Sequence, residues 1–98
     1  MTFKVTTVKT RPALNIYWAA ADDAANPQGE ADTTGKLLSS TNELSGDGLA
    51  MTIIQVWTSQ QVYVDYISLT EVGALRLSRQ IYHINNMISL SVSYENIA

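Results

Sequence analysis

The 98-residue chain has no cysteine, one histidine and two prolines. Without cysteine there are no disulfides, no thiolate nucleophile and no cysteine-held zinc or iron–sulfur centre. With His83 as the lone histidine, a site that needs two cannot be assembled within one chain. Charge is sparse as well: Asp, Glu, Lys and Arg make up 15% of residues, with a net charge of −3. That balance argues against duplex nucleic acid, which is bound through basic contacts to phosphate. The longest apolar stretches, around Ile53-Ile54, fall far short of the roughly 20 residues that span a bilayer, so no membrane partner is expected. The opening Met1–Val5 lacks the apolar core of a secretion signal, so the expected location is the cytoplasm or a virion. No GxGxxG, P-loop, GxSxG or HExxH string occurs, and neither cofactor nor metal is expected.

What remains is a chain that is 46% apolar, enough for one folded domain spanning 1–98. Phe3 to Ala20 reads as extended, since Val5, Val8, Leu14, Ile16, Tyr17 and Trp18 favour strands. Pro12 interrupts it, because proline donates no ladder hydrogen bond. Residues 21–35 crowd Asp22, Asp23, Pro27, Gly29, Glu30 and Asp32 together without a large apolar residue. A surface loop is expected here, with room for a short helical turn, and its acid spacing does not match an EF-hand. Leu37–Leu44 and Leu49–Trp57 flank a Ser45-Gly46-Asp47-Gly48 turn and predict a hairpin over 37–57. Thr58 with Gln61 has the spacing of a capping box. Helical spacing then runs through Val62, Tyr66 and Leu69, and again through Val72, Leu75, Arg79 and Tyr82. A second stripe holds Ala74, Leu77 and Ile81. Thr70 is placed to cap the second segment. A break is expected at 69–73, near Gly73, and an end at Asn85-Asn86. Met87–Tyr94 alternates Ile88, Leu90, Val92 and Tyr94 with three serines, as a strand buried on one face does.

The fold class is therefore α+β: an antiparallel sheet of about four strands with helices on one face. The other face should be open. Leu49, Met51, Ile53 and Trp57 share one face of the central strand and are assigned to it as a subunit interface. Burying such a stripe is worth about 25 cal/mol per Å², which points to a homodimer or higher oligomer. The competing cover is the 21–35 loop itself.

The stretch Val56-Trp57-Thr58-Ser59-Gln60-Gln61-Val62-Tyr63-Val64-Asp65-Tyr66 resembles the antibiotic-biosynthesis-monooxygenase-like family of dimeric α/β barrels. There a strand ends in an aromatic, a serine caps the next helix, and aromatics follow at helical spacing. The resemblance runs over about 45–94 and implies a ferredoxin-like fold. The N-terminal half departs from it, because 21–40 makes a poor helix. Members include cofactorless oxygenases and haem-degrading enzymes. Against the haem-degrading pattern Asn15 matches an asparagine, but Tyr66 replaces a tryptophan and Arg76 stands near the histidine position, so haem degradation is not expected. Gly46-Asp47-Gly48-Leu49 followed by Trp57-Thr58-Ser59 is also similar to small proteins of tailed phages.

The residues suited to a sheet–helix cleft are Asn15, Tyr66 and His83, with Tyr17, Trp18, Tyr63, Arg76 and Arg79. His83 is either a general base, with an ordinary pKa near about 6.5, or a favourable charge at a helix C-terminus. Arg76 and Arg79 hold an anion or pair with Glu71, Asp65 or a second subunit. Tyrosines and tryptophans with polar tips at the rim are equally consistent with simple packing. Two functions follow. The first is a non-enzymatic, self-associating assembly module, in a virion or another multi-subunit complex, whose uncharged edge at Ser89–Ser93 suits strand addition. The second is a small cofactorless monooxygenase or ligand-binding protein working in the cleft.

Overall fold

The computed structural model describes residues 2–18 and 34–97. Four strands form one antiparallel sheet: β1 (Thr2–Thr10), β2 (Leu37–Leu44), β3 (Ala50–Trp57) and β4 (Ser89–Ile97). Their order is β2-β3-β1-β4, so β1 and β3 are central and β2 and β4 are edges. Between β3 and β4 run α1 (Gln60–Ile67) and α2 (Thr70–Asn85). This is the expected α+β, ferredoxin-like arrangement. The Asp22/Asp23 cluster, most of the predicted 21–35 loop and any helix between β1 and β2 lie outside the described residues.

Register decides which side chains meet. Phe3 pairs with Trp57, Val5 with Gln55 and Thr7 with Ile53, and Val5 also pairs with Tyr94 and Thr7 with Val92. Alternation therefore puts Phe3, Val5, Ile53, Trp57, Val92 and Tyr94 on one face. The helices cover that face, and Phe3, Val5, Trp57, Tyr63, Tyr66 and Val72 are its buried core. The opposite face carries Thr6, Val8, Thr52, Ile54 and Val56, with Ser91 and Ser93 of β4.

β1 stops at Thr10, well short of the extended reading. Pro12 cannot continue the ladder. Arg11 then clamps the chain: its Nε and Nη2 donate to the Gly48 carbonyl at 2.9 and 2.7 Å, and Nη1 donates to the Ile16 carbonyl at 2.8 Å. Its guanidinium also lies 4.6 Å from the Trp18 ring centroid. The β2–β3 turn is held at Asp47, whose carboxylate accepts from Ser45 Oγ at 2.6 Å and from Leu49 N at 3.0 Å. These two bonds, the serine first, lower the Asp47 pKa. Gly48 has φ +74°, a conformation that strains any side chain, and a Cβ there would meet Leu14 Cδ2 at 2.8 Å and push that side chain aside.

The helix starts differ from the capping pattern read from sequence. Ser59, not Thr58, caps α1, accepting from Val62 N at 3.2 Å. Thr70 is the first residue of α2 rather than its cap, which is an extended Leu69 with no side-chain bond. The break falls at Ser68-Leu69, where Ser68 Oγ donates to the Val64 carbonyl at 2.7 Å. Gly73 lies inside α2 with open space around it. The stripe Leu77/Ile81 faces outward, at 58% and 51% exposure; Val72, Arg76, Arg79 and His83 recur on the inner side.

Helix α2 ends in a Schellman motif. Ile88 N donates to the His83 carbonyl at 2.9 Å and Met87 N to the Ile84 carbonyl at 3.3 Å. The left-handed residue is Met87, at φ 55°, and not an asparagine. Replacing a side chain there with glycine relieves a strain of about 1–2 kcal/mol, partly offset by glycine's entropy in the unfolded chain. Met87→Gly should thus raise the urea midpoint with an unchanged slope; a lowered midpoint would contradict this cap.

Candidate functional site

The helix-bearing face divides into a packed end and an open end. At the packed end five aromatic rings interlock. Trp57 meets Tyr66 at 4.9 Å between centroids and Tyr63 at 5.3 Å, while Phe3 meets Tyr63 at 5.5 Å and Tyr94 at 5.8 Å. β3 delivers Trp57 to this spot, and Ser59 starts α1 so that Tyr63 and Tyr66 point down onto it. The open end lies between β4 and α2. Leu90 and Val92, expected on a buried face, are 49% and 38% exposed there. They face a cavity of about 510 Å³ whose floor includes Val5 and Ile53 and whose wall includes Tyr63, Arg76, Arg79 and His83. A smaller pocket of about 150 Å³ lies alongside, lined by Trp57, Tyr66 and Val72. Tyr63, Arg76 and Arg79 border both.

The electrostatics are set by α2. Burial pushes the Tyr63 hydroxyl pKa up and nearby Tyr94 adds to this, while a hydrogen bond from Arg76 opposes it. Tyr63 therefore stays protonated at neutral pH. His83 is buried at 8% exposure, held inside by the α2–β4 turn whose Ile88 N–H bonds its own carbonyl. The Trp57 indole Nε1 is buried without a hydrogen-bond partner among the described residues, on the edge of the smaller pocket.

Of the eight residues suited to a cleft, five line these cavities. His83 is in the larger, Tyr66 in the smaller, and Tyr63, Arg76 and Arg79 in both. Asn15 lines neither; it is exposed in the turn after β1, because that strand ends before reaching it. Trp18 stacks on Arg11, and Tyr17 is 79% exposed, though its carbonyl accepts from Tyr82 Oη at 2.7 Å. The Asp65 carboxylate accepts from Gln61 Nε2 at 2.8 Å. Lys9, Gln55 and Gln80 also line the larger cavity. Period-two counting from Phe3 and Val5 places Lys9 on the inner face, a signal present in the sequence.

The interface assignment needs correction. Trp57 is 1% exposed in the aromatic core and Ile53 lines the cavity, so neither is on the open sheet face. Met51 pairs with Lys9 in the same phase, and Leu49 precedes β3. The alternation is as expected, but the stripe lies on the helix side of the sheet. Trp57 belongs with the helix it precedes.

No family model and no curated protein matches the sequence. Solved structures share its fold. One is Rv0793 from Mycobacterium tuberculosis, at 11% identity and TM-score 0.65, covering 98% of this chain and 95% of that one. Another is a conserved protein of unknown function from Bacteroides thetaiotaomicron, described as a possible oxidoreductase, at 10% identity and TM-score 0.63, covering 98% and 97%. A third is a candidate antibiotic biosynthesis monooxygenase from Deinococcus radiodurans, at 12% identity and TM-score 0.57, covering 100% and 93%. The chain thus shares its whole fold with monooxygenase-like proteins, beyond the 45–94 stretch that carries the sequence resemblance. The similarity to phage proteins has no counterpart in these three structures. Among the described residues no helix is long and apolar enough to cross a membrane.

Proposed function

We propose that the chain binds a small aromatic molecule in the cleft between β-sheet and α2 and oxidises it with molecular oxygen, as a cofactorless monooxygenase. The observation that carries this is the cavity of about 510 Å³ with an apolar floor and convergent Tyr63, Arg76, Arg79 and His83. Its volume falls within the roughly 300–1,000 Å³ of small-molecule sites. An assembly module would be expected to fill that space. The names of two structural neighbours, a possible oxidoreductase and a candidate monooxygenase, support the same reading.

The chemistry asks little of the protein. A substrate methylene made acidic by flanking rings loses a proton to His83, and the arginines stabilise the resulting anion. The carbanion reduces molecular oxygen. One oxygen atom stays on carbon as a carbonyl, and the other leaves as water with the two methylene hydrogens. The substrate carbon supplies all four electrons, so no separate reductant is consumed.

A fused-ring ketone with such a methylene tests it. Oxygen uptake should exceed the spontaneous rate, and label from isotopically heavy molecular oxygen should enter the product carbonyl. His83→Ala should lower the rate about 100-fold or more, the usual worth of a general base, while circular dichroism stays unchanged. A wild-type rate no faster than the buffer would refute the oxygenase.

We also infer that a second copy packs on the open sheet face, through Val8, Ile54 and Val56 in place of the Leu49–Trp57 stripe. These residues share one face of the two central strands, and among the described residues neither helix packs on that side.

A further inference from the structure

Gln55 is the one polar side chain on the inner face of β3. The strand residues in phase with it are Met51, Ile53 and Trp57, and its partner across β1 is Val5. Strand geometry fixes the face a residue takes, so the carboxamide cannot turn to the other side of the sheet. It is partly buried, and it borders both cavities at once.

The other polar groups that border both are occupied. Arg76 hydrogen-bonds the Tyr63 hydroxyl, and Arg79 is not free either. The Gln55 side-chain amide, in contrast, makes no hydrogen bond among the described residues. Nor is it sealed off: Trp57 Nε1 is enclosed without a partner, whereas the Gln55 amide opens onto the cavities. Methionine or leucine would pack the same floor without a polar group to desolvate. The carboxamide sets an acceptor oxygen beside a donor NH2. A ring settling on the floor takes both from solvent. A ligand that leaves either half unpaired loses affinity by the full desolvation of that half.

We propose that Gln55 is the polar anchor of the cleft, and that it selects a fused-ring aromatic whose edge carries an acceptor beside a donor, as a lactam does. The ligand carbonyl accepts from the Gln55 amide nitrogen, and the ligand N–H donates to the amide oxygen. This rests on the cleft being the ligand site and adds an orientation. The polar edge of the ring turns to β3 and its hydrocarbon edge to Leu90 and Val92 of β4.

Calorimetric titration with 2-quinolone, a bicyclic lactam, and with N-methyl-2-quinolone, which lacks the donor, tests the anchor. The lactam should bind the wild type about tenfold more tightly, the worth of a hydrogen bond whose loss leaves a buried group unpaired. In Gln55→Met, which keeps the side-chain length, the two should bind about equally. The Gln55 side-chain NH2 resonances of the wild type should also shift as 2-quinolone binds, a readout that needs no variant to fold. Equal affinities in the wild type, a preference that survives Gln55→Met, or NH2 resonances unmoved at saturation would overturn the anchor and leave the cleft as a ligand site. If neither compound binds at millimolar concentration, the ligand site and its anchor fall together.

Discussion

Trp57→Ala should cost about 3–5 kcal/mol of stability, a large share of the roughly 5–15 kcal/mol typical of a small domain. Among the described residues Trp57 is the largest fully buried side chain, and it contacts both tyrosines that fasten α1 to the sheet. Truncation removes the apolar area and also leaves a void under Tyr63 and Tyr66 that rigid strands cannot close. Trp57→Phe should cost much less. It keeps most of the ring and removes the buried Nε1–H that has no partner among the described residues, a group whose burial costs about 1–3 kcal/mol. Urea denaturation of the three proteins measures the order. A Trp57→Ala variant within about 1 kcal/mol of wild type, the size of an ordinary surface change, would show that the aromatic cluster is not the core.

Ile54→Glu should convert a dimer to a monomer at micromolar concentration, whereas Ile53→Glu should not. The two neighbours point to opposite faces. Ile54 pairs with Thr6 and Thr41 on the face away from the helices, and Ile53 opens on the cavity. In a two-fold contact one substitution supplies two carboxylates, each losing water on association, at a cost of several kcal/mol. Sedimentation equilibrium separates the cases. A wild-type protein that is already monomeric across that range would remove the second copy from the open face. Dissociation by Ile53→Glu alone would restore the Leu49–Trp57 stripe as the interface.

The contrast between these residues shows what the sequence made legible. Alternation in Leu49–Trp57 and in Ile88–Tyr94 defines two strands and their faces, because a period of two allows no other geometry. Which face turns inward is not legible, since β3 is apolar on both and only the position of the helices decides. Helical spacing brings Tyr63, Tyr66, Arg76, Arg79 and His83 toward one side. Asn15 escapes its expected place because strand propensity in Leu14–Trp18 loses to Pro12 and to the hydrogen bonds of Arg11, which are long-range and leave no local signal. Lys9 is easily overlooked as one of two lysines in a strand of threonines and valines, though its parity places it on the inner face.

The most direct measurement is methyl and aromatic NMR of the protein during titration with a naphthalene-sized aromatic probe. Shifts should concentrate on Ile53, Ile88, Leu90 and Val92 and on the ring of His83, which line the cavity, with Val8, Ile54 and Val56 silent. Perturbations centred on Ile54 and Val56, or none at saturating probe, would contradict a ligand site between sheet and helix.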